Sequence, residues 1–200
     1  MTRLKREFFE RDARVVARDL LGRVLVHQID DQRVSGRVVE TEAYMGWDDR
    51  ASHGYGRITP RNKIMFGTAG VSYVYFIYGN YWMFNIVAKL SHVDYAGAVL
   101  IRALEPLEGL EIQAARREGR PQRDWTSGPA RLVLAMGIDS ALNGVDLTQP
   151  DSSLYFETGN PVLDKEVHCG PRVGLGSNVP EPWNSKPWRF WIAGNRYVSR

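Results

Sequence analysis

The chain has 200 residues, of which 44% are hydrophobic and 24% are charged, and its formal net charge is +3. This length and composition favour one globular domain, and no apolar stretch approaches the roughly 18 residues of a membrane span. The single cysteine, Cys169, excludes an intrachain disulfide and a cysteine-based metal site.

The charged start of the chain lacks the apolar run of a secretory signal, and we therefore expect a cytoplasmic protein. A pI near 9.1 fits a nucleic-acid partner, although a net charge of +3 is too small to establish one. The arrangement of residues along the chain must decide the function.

The first predicted elements are a helix and a β-hairpin. Apolar residues recur at helical spacing between residues 8 and 21, and Gly22 is placed to end a helix that begins near Asp12. Residues 23–29 and 33–44 have the pattern of two strands joined by a short polar turn. The polar loop that follows, residues 46–62, is long for a plain connection, and such loops beside strands are often functional.

The middle of the chain has the clearest strand signals. Residues 71–78 and 81–88 are rich in β-branched and aromatic residues and are joined by a Gly-Asn pair, which predicts a hairpin. Residues 98–104 form another predicted strand. Pro106 suits the first turn of a helix, which we expect to extend to about residue 118.

The last third of the chain predicts a helix and three strands. Ser-Gly-Pro at residues 127–129 opens a helix to Met136, and strands are expected near residues 154–156, 167–175 and 188–193. No repeat or linker divides the sequence. The sequence predicts an α+β fold, with residues 1–200 as a single domain in which a curved, mainly antiparallel β-sheet is flanked by helices and carries a protruding β-hairpin.

The strand at 33–44 carries two glutamates on one face. Side chains alternate along a strand, so Glu40 and Glu42 share a face with Tyr44. The plain interpretation is a half-exposed strand whose glutamates pair with arginines. If the loop with His53 and the aromatic hairpin meet this strand, however, the resulting cleft can hold a flat base between rings and activate a water.

Three functions are compatible with such a cleft. The first is excision of a base from DNA. The second is a DNA-binding module that recognises lesions without cutting them. The third is a sugar glycosidase that uses Glu40 and Glu42 as a carboxylate pair, since adjacent same-face strand positions lie about 6 to 7 Å apart.

Eight ordered blocks distinguish these functions, and the resemblance that they carry covers nearly the whole chain. They are Arg-Val-Val-Glu-Thr-Glu-Ala-Tyr at 37–44, His53, Thr-Pro-Arg-Asn at 59–62 with Met-Phe at 65–66, Tyr-Val-Tyr through Ile-Tyr-Gly at 73–79, Asn-Ile at 85–86, Leu-Ile-Arg-Ala-Leu-Glu-Pro-Leu-Glu-Gly at 100–109, Ser-Gly-Pro at 127–129, and Arg-Val-Gly at 172–174 followed by Lys-Pro at 186–187. In this order they resemble the alkyladenine (3-methyladenine) DNA glycosylase family of the mammalian type.

The resemblance implies a monofunctional DNA glycosylase of base excision repair, without cofactor or metal ion. Such an enzyme flips alkylated or deaminated purines out of duplex DNA and hydrolyses the N-glycosidic bond with an activated water. The implied lesions are 3-methyladenine, 7-methylguanine, hypoxanthine and ethenoadenine. The implied partner is double-stranded DNA with damaged purines, with no membrane, and the protein would act as a monomer, associated with the nucleoid in a prokaryote.

By position in the family, Glu42 is the general base, and Arg102 and the backbone carbonyl of Val173 complete the water site. The residues implied for the base pocket are Tyr44 and Tyr75 as stacking rings, His53 at the base edge, and Asn85 against the amine of normal guanine. Tyr78 at the tip of the hairpin would intercalate as that hairpin enters DNA. The residues implied for the remaining DNA contacts are Arg57, Thr59, Arg61, Met65 and Tyr81.

Other residues have simpler interpretations. We expect Glu40 to be structural and to meet an arginine. Asp48 and Asp49 have the character of a solvated pair in a turn. Tyr73 and Phe76 are expected in the core.

Overall fold

The computed structural model describes residues 1–77 and 79–199, within which it has four α-helices and eight strands. The helices are α1 (Arg6–Phe9), α2 (Ala13–Asp19), α3 (Leu110–Arg116) and α4 (Pro129–Met136). The strands are β1 (Val24–Ile29), β2 (Gln32–Tyr44), β3 (Ser72–Ile77), β4 (Tyr81–Val87), β5 (Ala98–Glu108), β6 (Leu154–Glu157), β7 (Val167–Gly170) and β8 (Arg189–Ile192). The α+β prediction is confirmed. No helix in these two ranges is long and apolar enough to cross a membrane.

One antiparallel sheet contains all eight of these strands, in the order β3-β4-β5-β2-β1-β6, with β8 joining β2 to β7. The long strand β2 is its centre. Its first half pairs with β1, and residues 40–42 pair with β8, while β5 runs along the opposite edge. The register against β5 shifts on both sides of Glu40, and such irregularities increase the twist of a strand. The two glutamates of β2 therefore lie where the sheet bends and three strands meet.

The main core lies between the sheet and the helices packed on it. α2 buries Val16 and Ala17, and Leu20 follows in the same core. The Asp12 side chain caps this helix by accepting from the amide of Arg14, as its position before the apolar run suggests. α2 is shorter than predicted and ends before the turn at Gly22, whose φ of 83° suits glycine.

The prediction of a helix from Pro106 is wrong, because β5 continues through Glu108 and α3 begins at Leu110. Pro106 faces Gly36 where the register with β2 shifts, and a proline is tolerated at such an irregularity because the missing N–H interrupts no regular ladder. Gly109 then makes the turn with φ of 65°, where a Cβ would lie 2.8 Å from the carbonyl oxygen of Arg33.

The predicted hairpin at residues 71–88 is confirmed as β3 and β4, in which Ile77 pairs with Tyr81. Tyr78, the predicted intercalating residue, lies outside the described residues. Tyr73 is buried as expected, but the prediction that Phe76 belongs to the core is wrong. Phe76 is 43% exposed and packs on Trp82 at 4.8 Å between ring centroids, because this part of the hairpin extends beyond the core.

The predicted strand at 167–175 is also too long. β7 ends at Gly170, and the chain then leaves the sheet as a loop. The physical reason is Arg172, whose side chain is fully buried and directed toward the loop after β2. This departure brings Val173 to the end of β2.

Candidate active site

A recess of about 440 Å³ opens between the end of β2, the β3–β4 hairpin and the loops at 46–62 and 171–179. This volume lies in the range of small-molecule sites. It brings together seven of the residues predicted for the site, namely Tyr44, His53, Met65, Tyr75, Asn85, Arg102 and Val173. The sequence distributes them over about 130 positions, and the bend of the sheet gathers them.

Glu42 lies at the base of this recess, behind three residues that line it. Its side chain is fully buried, and Oε1 accepts the amide N–H of Val173 at 2.6 Å and lies 3.2 Å from Nη1 of Arg102. Oε2 accepts the hydroxyl of Tyr44 at 2.8 Å. An ionised carboxylate has about four acceptor positions, so Oε2 keeps one position beyond these three donors. Val173 thus contacts Glu42 through its backbone amide, and the role of its carbonyl in the water site stays a prediction.

Burial and then the neighbouring charge of Glu42 raise the pKa of Tyr44 well above its usual value. Its phenol therefore remains a hydrogen-bond donor to the carboxylate. The guanidinium of Arg172 covers one face of the Tyr44 ring, at 4.7 Å from the ring centroid. This contact fixes the ring plane that lines the recess.

Arg172 and Asp49 form a buried ion pair that sequence reasoning missed. Both side chains are fully buried, and two guanidinium nitrogens of Arg172 contact the two Asp49 oxygens at 2.6 and 2.8 Å. Arg172 also donates to the carbonyl of Ala43, and Asp49 accepts the amides of Met45 and Ala51. The expectation of a solvated Asp49 is wrong. No local signal marks it, because its partner is 123 positions away.

Glu40 meets arginines, as predicted. It accepts from Nε of Arg102 at 2.8 Å and from Nε of Arg189 at 2.7 Å, and it is fully buried. A glycosidase acid must face the leaving oxygen of a sugar. Unlike Glu42, Glu40 is surrounded by four donors from Arg102, Arg189 and Ser199, so neither of its oxygens faces the recess. The carboxylate pair required for a sugar glycosidase is therefore absent from β2.

His53 stands at the rim of the recess with its ring edge against Tyr75, at 4.6 Å between centroids. Its Nδ1 lies 3.0 Å from the hydroxyl of Tyr73. Burial raises the pKa of Tyr73 to about 12, so the phenol donates and the neutral imidazole accepts at Nδ1. The proton then resides on Nε2. Desolvation of the ring and, second, the positive charge of Arg61 lower the pKa of His53 to about 4.

We expect a histidine-ring NMR titration of His53 to have its midpoint near pH 4 and not near 6.5. The unfolded chain takes up this proton below about pH 6.5. Acidification from about pH 6.5 toward pH 4 therefore destabilises the fold. The contribution of the neutral His53 to stability is fully present above about pH 6.5. Tyr73→Phe removes the donor to Nδ1 and should raise the midpoint. A midpoint near 6.5 in the unmodified protein would contradict the neutral His53.

Asn85 and Met65 form the floor of the recess. Asn85 is buried and donates from Nδ2 to the carbonyl of Tyr73 at 3.2 Å. Met65, predicted as a DNA contact, is only 2% exposed and packs with Tyr73 in a small second core. The 3-10 turn at 63–66 directs Met65 inward, toward the recess that it lines.

The remaining predicted DNA contacts lie on the loop at 46–62 and at the start of β4. Arg57 and Tyr81 are exposed, and the guanidinium of Arg61 lies over the Tyr75 ring at 5.1 Å. Asn62 orders the loop that carries Arg57 and Arg61, because it donates to the carbonyls of His53 and Arg57 and accepts the amide of Thr59. The long polar loop is therefore an ordered segment that forms one wall of the recess.

A second cavity, of about 450 Å³, lies on the other side of Arg102 and shares Pro129 with the recess. Its lining includes Arg123, Arg131 and Arg196 and the start of α4. Sequence reasoning missed these arginines because they come from separate segments of the chain: a 3-10 turn, α4 and the residues after β8. In the described residues no group of three His, Cys, Asp or Glu side chains is arranged to hold a metal ion.

The sequence is similar to known proteins along nearly its whole length. The family model of methylpurine-DNA glycosylase matches residues 7–196. A protein of Desulfitobacterium hafniense is 43% identical over 100% of this chain and 99% of its own length. A protein of Carboxydothermus hydrogenoformans is 41% identical over 98% of both chains, and one of Clostridium botulinum is 41% identical over the same shares. All three are provisionally named 3-methyladenine DNA glycosylases.

Proposed function

This chain belongs to the methylpurine-DNA glycosylase family, and from that premise we propose that it is a monofunctional DNA-3-methyladenine glycosylase of type II. Family membership makes it a DNA repair enzyme that hydrolyses N-glycosyl bonds and has DNA as its substrate. The proposed lesions are 3-methyladenine, 7-methylguanine, hypoxanthine and ethenoadenine in duplex DNA. Residues 1–200 would act as one domain and as a monomer, associated with the nucleoid if the source is prokaryotic.

The proposed reaction begins with a water bound at the remaining acceptor position of Glu42 Oε2. Glu42 takes a proton from this water while the water oxygen forms a bond to C1′ of the deoxyribose. The N-glycosidic bond breaks, and its electron pair goes to the purine. Arg102 faces the same carboxylate and holds it in place. The products are the free base and an abasic site.

The proposed base pocket favours cationic purines. Alkylation at N3 or N7 puts a positive charge on the base, and the departing base then takes the electron pair without help from an acid. Between the rings of Tyr44 and Tyr75 such a base gains cation–π attraction of roughly 0.5 to 2 kcal/mol per ring. We assign edge recognition to Nε2–H of His53, and Asn85 would crowd the exocyclic amine of normal guanine.

The proposed DNA surface extends from the recess in two directions. Arg57, Thr59 and Arg61 would contact phosphates on one side, and Tyr81 lies beside the hairpin tip, where Tyr78 would fill the gap left by the flipped base. On the other side, the arginines of the second cavity offer positive charge next to α4.

Replacement of Arg131 by alanine should weaken binding of duplex DNA equally with and without a lesion. Its side chain is half exposed, and it lines the second cavity. Loss of one phosphate contact reduces the magnitude of the slope of log K for binding against log salt concentration by about 1. Fluorescence anisotropy over a salt series measures this slope, with the exposed Lys165 replaced by alanine as the control on a distant turn. An unchanged slope would remove Arg131 from the DNA surface.

The observation that carries the proposed function is the Glu42 carboxylate, held by Tyr44, Arg102 and Val173 at the base of an aromatic recess. The test is incubation of the protein with duplexes that each carry one of the four proposed lesions, with mass-spectrometric identification of the released base. We expect free 3-methyladenine and an alkali-labile abasic site. Binding of alkylated duplex without any released base would instead support the lesion-binding module.

A further inference from the structure

Glu40 organises a group of charges directly behind the proposed catalytic carboxylate. Its Oε1 accepts from Arg102, Arg189 and the hydroxyl of Ser199, at 2.8, 2.7 and 2.9 Å. Its Oε2 accepts the backbone amide of Ser199 at 2.7 Å. Four donors around one carboxyl group suit its ionised form, which only accepts hydrogen bonds. Glu40 thus ties β5, β8 and the segment around Ser199 to β2.

The same contacts fix the direction in which Arg102 points. Its Nε donates to Glu40, and its Nη2 donates to the hydroxyl of Ser199 at 3.1 Å. A guanidinium is planar, so two held nitrogens determine where the third one lies. The third, Nη1, lies 3.2 Å from Oε1 of Glu42.

Glu40 also sets the charge around Glu42. The charged groups nearest to this pair are Arg102 from β5 and Arg189 from β8, and the neutral phenol of Tyr44 completes the set on β2. Behind that phenol, the guanidinium of Arg172 is neutralised by Asp49, as described above. The negative charges of the two glutamates therefore balance the positive charges of Arg102 and Arg189. Without Glu40, two cations would face Glu42 alone, and a carboxylate in that field accepts a proton less readily.

We propose that Glu40 is a positioning residue for base excision, which directs Arg102 at the water site and offsets two positive charges so that Glu42 acts as a base. This inference rests on the proposed function. It assigns a task in the reaction to a residue that was expected to be only structural.

The test compares Glu40→Gln with Glu40→Asp in single-turnover excision of 3-methyladenine between pH 5 and 9. For Glu40→Gln we expect at least a tenfold slower plateau rate, and the acid limb of the profile should move to lower pH. Glu40→Asp keeps the charge, so its acid limb should stay in place although the shorter side chain slows the reaction. Lesion binding by both variants should stay within about twofold.

The matched control is Glu157→Gln. Glu157 is also a buried carboxylate paired with an arginine, Arg33, but it lies on β6 away from the recess. Its replacement should leave the rate and the acid limb unchanged. Ser199→Ala offers a test without charge removal, and we expect a severalfold slower rate with an unmoved acid limb.

Two outcomes would overturn the inference. One is a slower Glu40→Gln enzyme whose acid limb does not move, and the other is an equal shift in Glu40→Asp. Either result would make Glu40 a structural residue and leave the proposed function intact. Failure of the unmodified protein to release any base would instead contradict the proposed function itself.

Discussion

Glu42→Gln is expected to lower base release at least 100-fold while binding of the damaged duplex persists. General-base catalysis contributes about 10² to 10⁴ in rate, and an amide cannot take the proton from water. The substitution should preserve the site, because the amide oxygen can still accept from Val173 and Arg102. The new NH₂ group can donate to the hydroxyl of Tyr44, which currently donates to Glu42.

Single-turnover release of 3-methyladenine, measured beside anisotropy with the same duplex, separates the two effects. Glu157→Gln is again the control, because it removes a buried charge far from the recess. Loss of binding together with release would indicate a collapsed recess. Release at the unmodified rate would show that another group activates the water, and the role proposed for Glu42 would be wrong.

The sequence predicted the parts of the fold that depend on local pattern. β2 is recognisable from the alternation of its side chains, and β3 and β4 from their many β-branched and aromatic residues. The Gly-Asn pair marks the hairpin between β3 and β4. Glu42 and Tyr44 were predicted to share a face because they are two positions apart on one strand. Their direct hydrogen bond follows from this spacing.

The errors concern contacts between distant parts of the chain. Pro106 has a strong local preference for a helix start, but pairing with Gly36 across the sheet overrides it. Asp49 resembles a turn residue until Arg172 is placed beside it. The partners of Glu40 include Ser199, 159 positions away, and no periodicity or spacing connects them. Such pairings depend on the tertiary fold, which local sequence patterns do not encode.

The largest effect on stability is expected from Asp49→Asn. The substitution keeps the size of the side chain but leaves the buried guanidinium of Arg172 without its counter-charge. Breaking a buried ion pair in this way costs about 3 to 5 kcal/mol in the free energy of unfolding. Excision should also slow, because Arg172 covers the Tyr44 ring and precedes the Val173 amide that contacts Glu42.

Urea denaturation measures the stability, and the control is Asp164→Asn, which breaks the exposed pair with Arg18 and should change the free energy little. A double variant, Asp49→Asn with Arg172→Gln, removes both charges and should recover part of the lost stability, since the uncompensated charge is then gone. If Asp49→Asn unfolds at the same urea concentration as the unmodified protein, the ion pair does not hold the recess together. The placement of Tyr44 and Val173 would then depend on the strand β2 and the loop backbone alone.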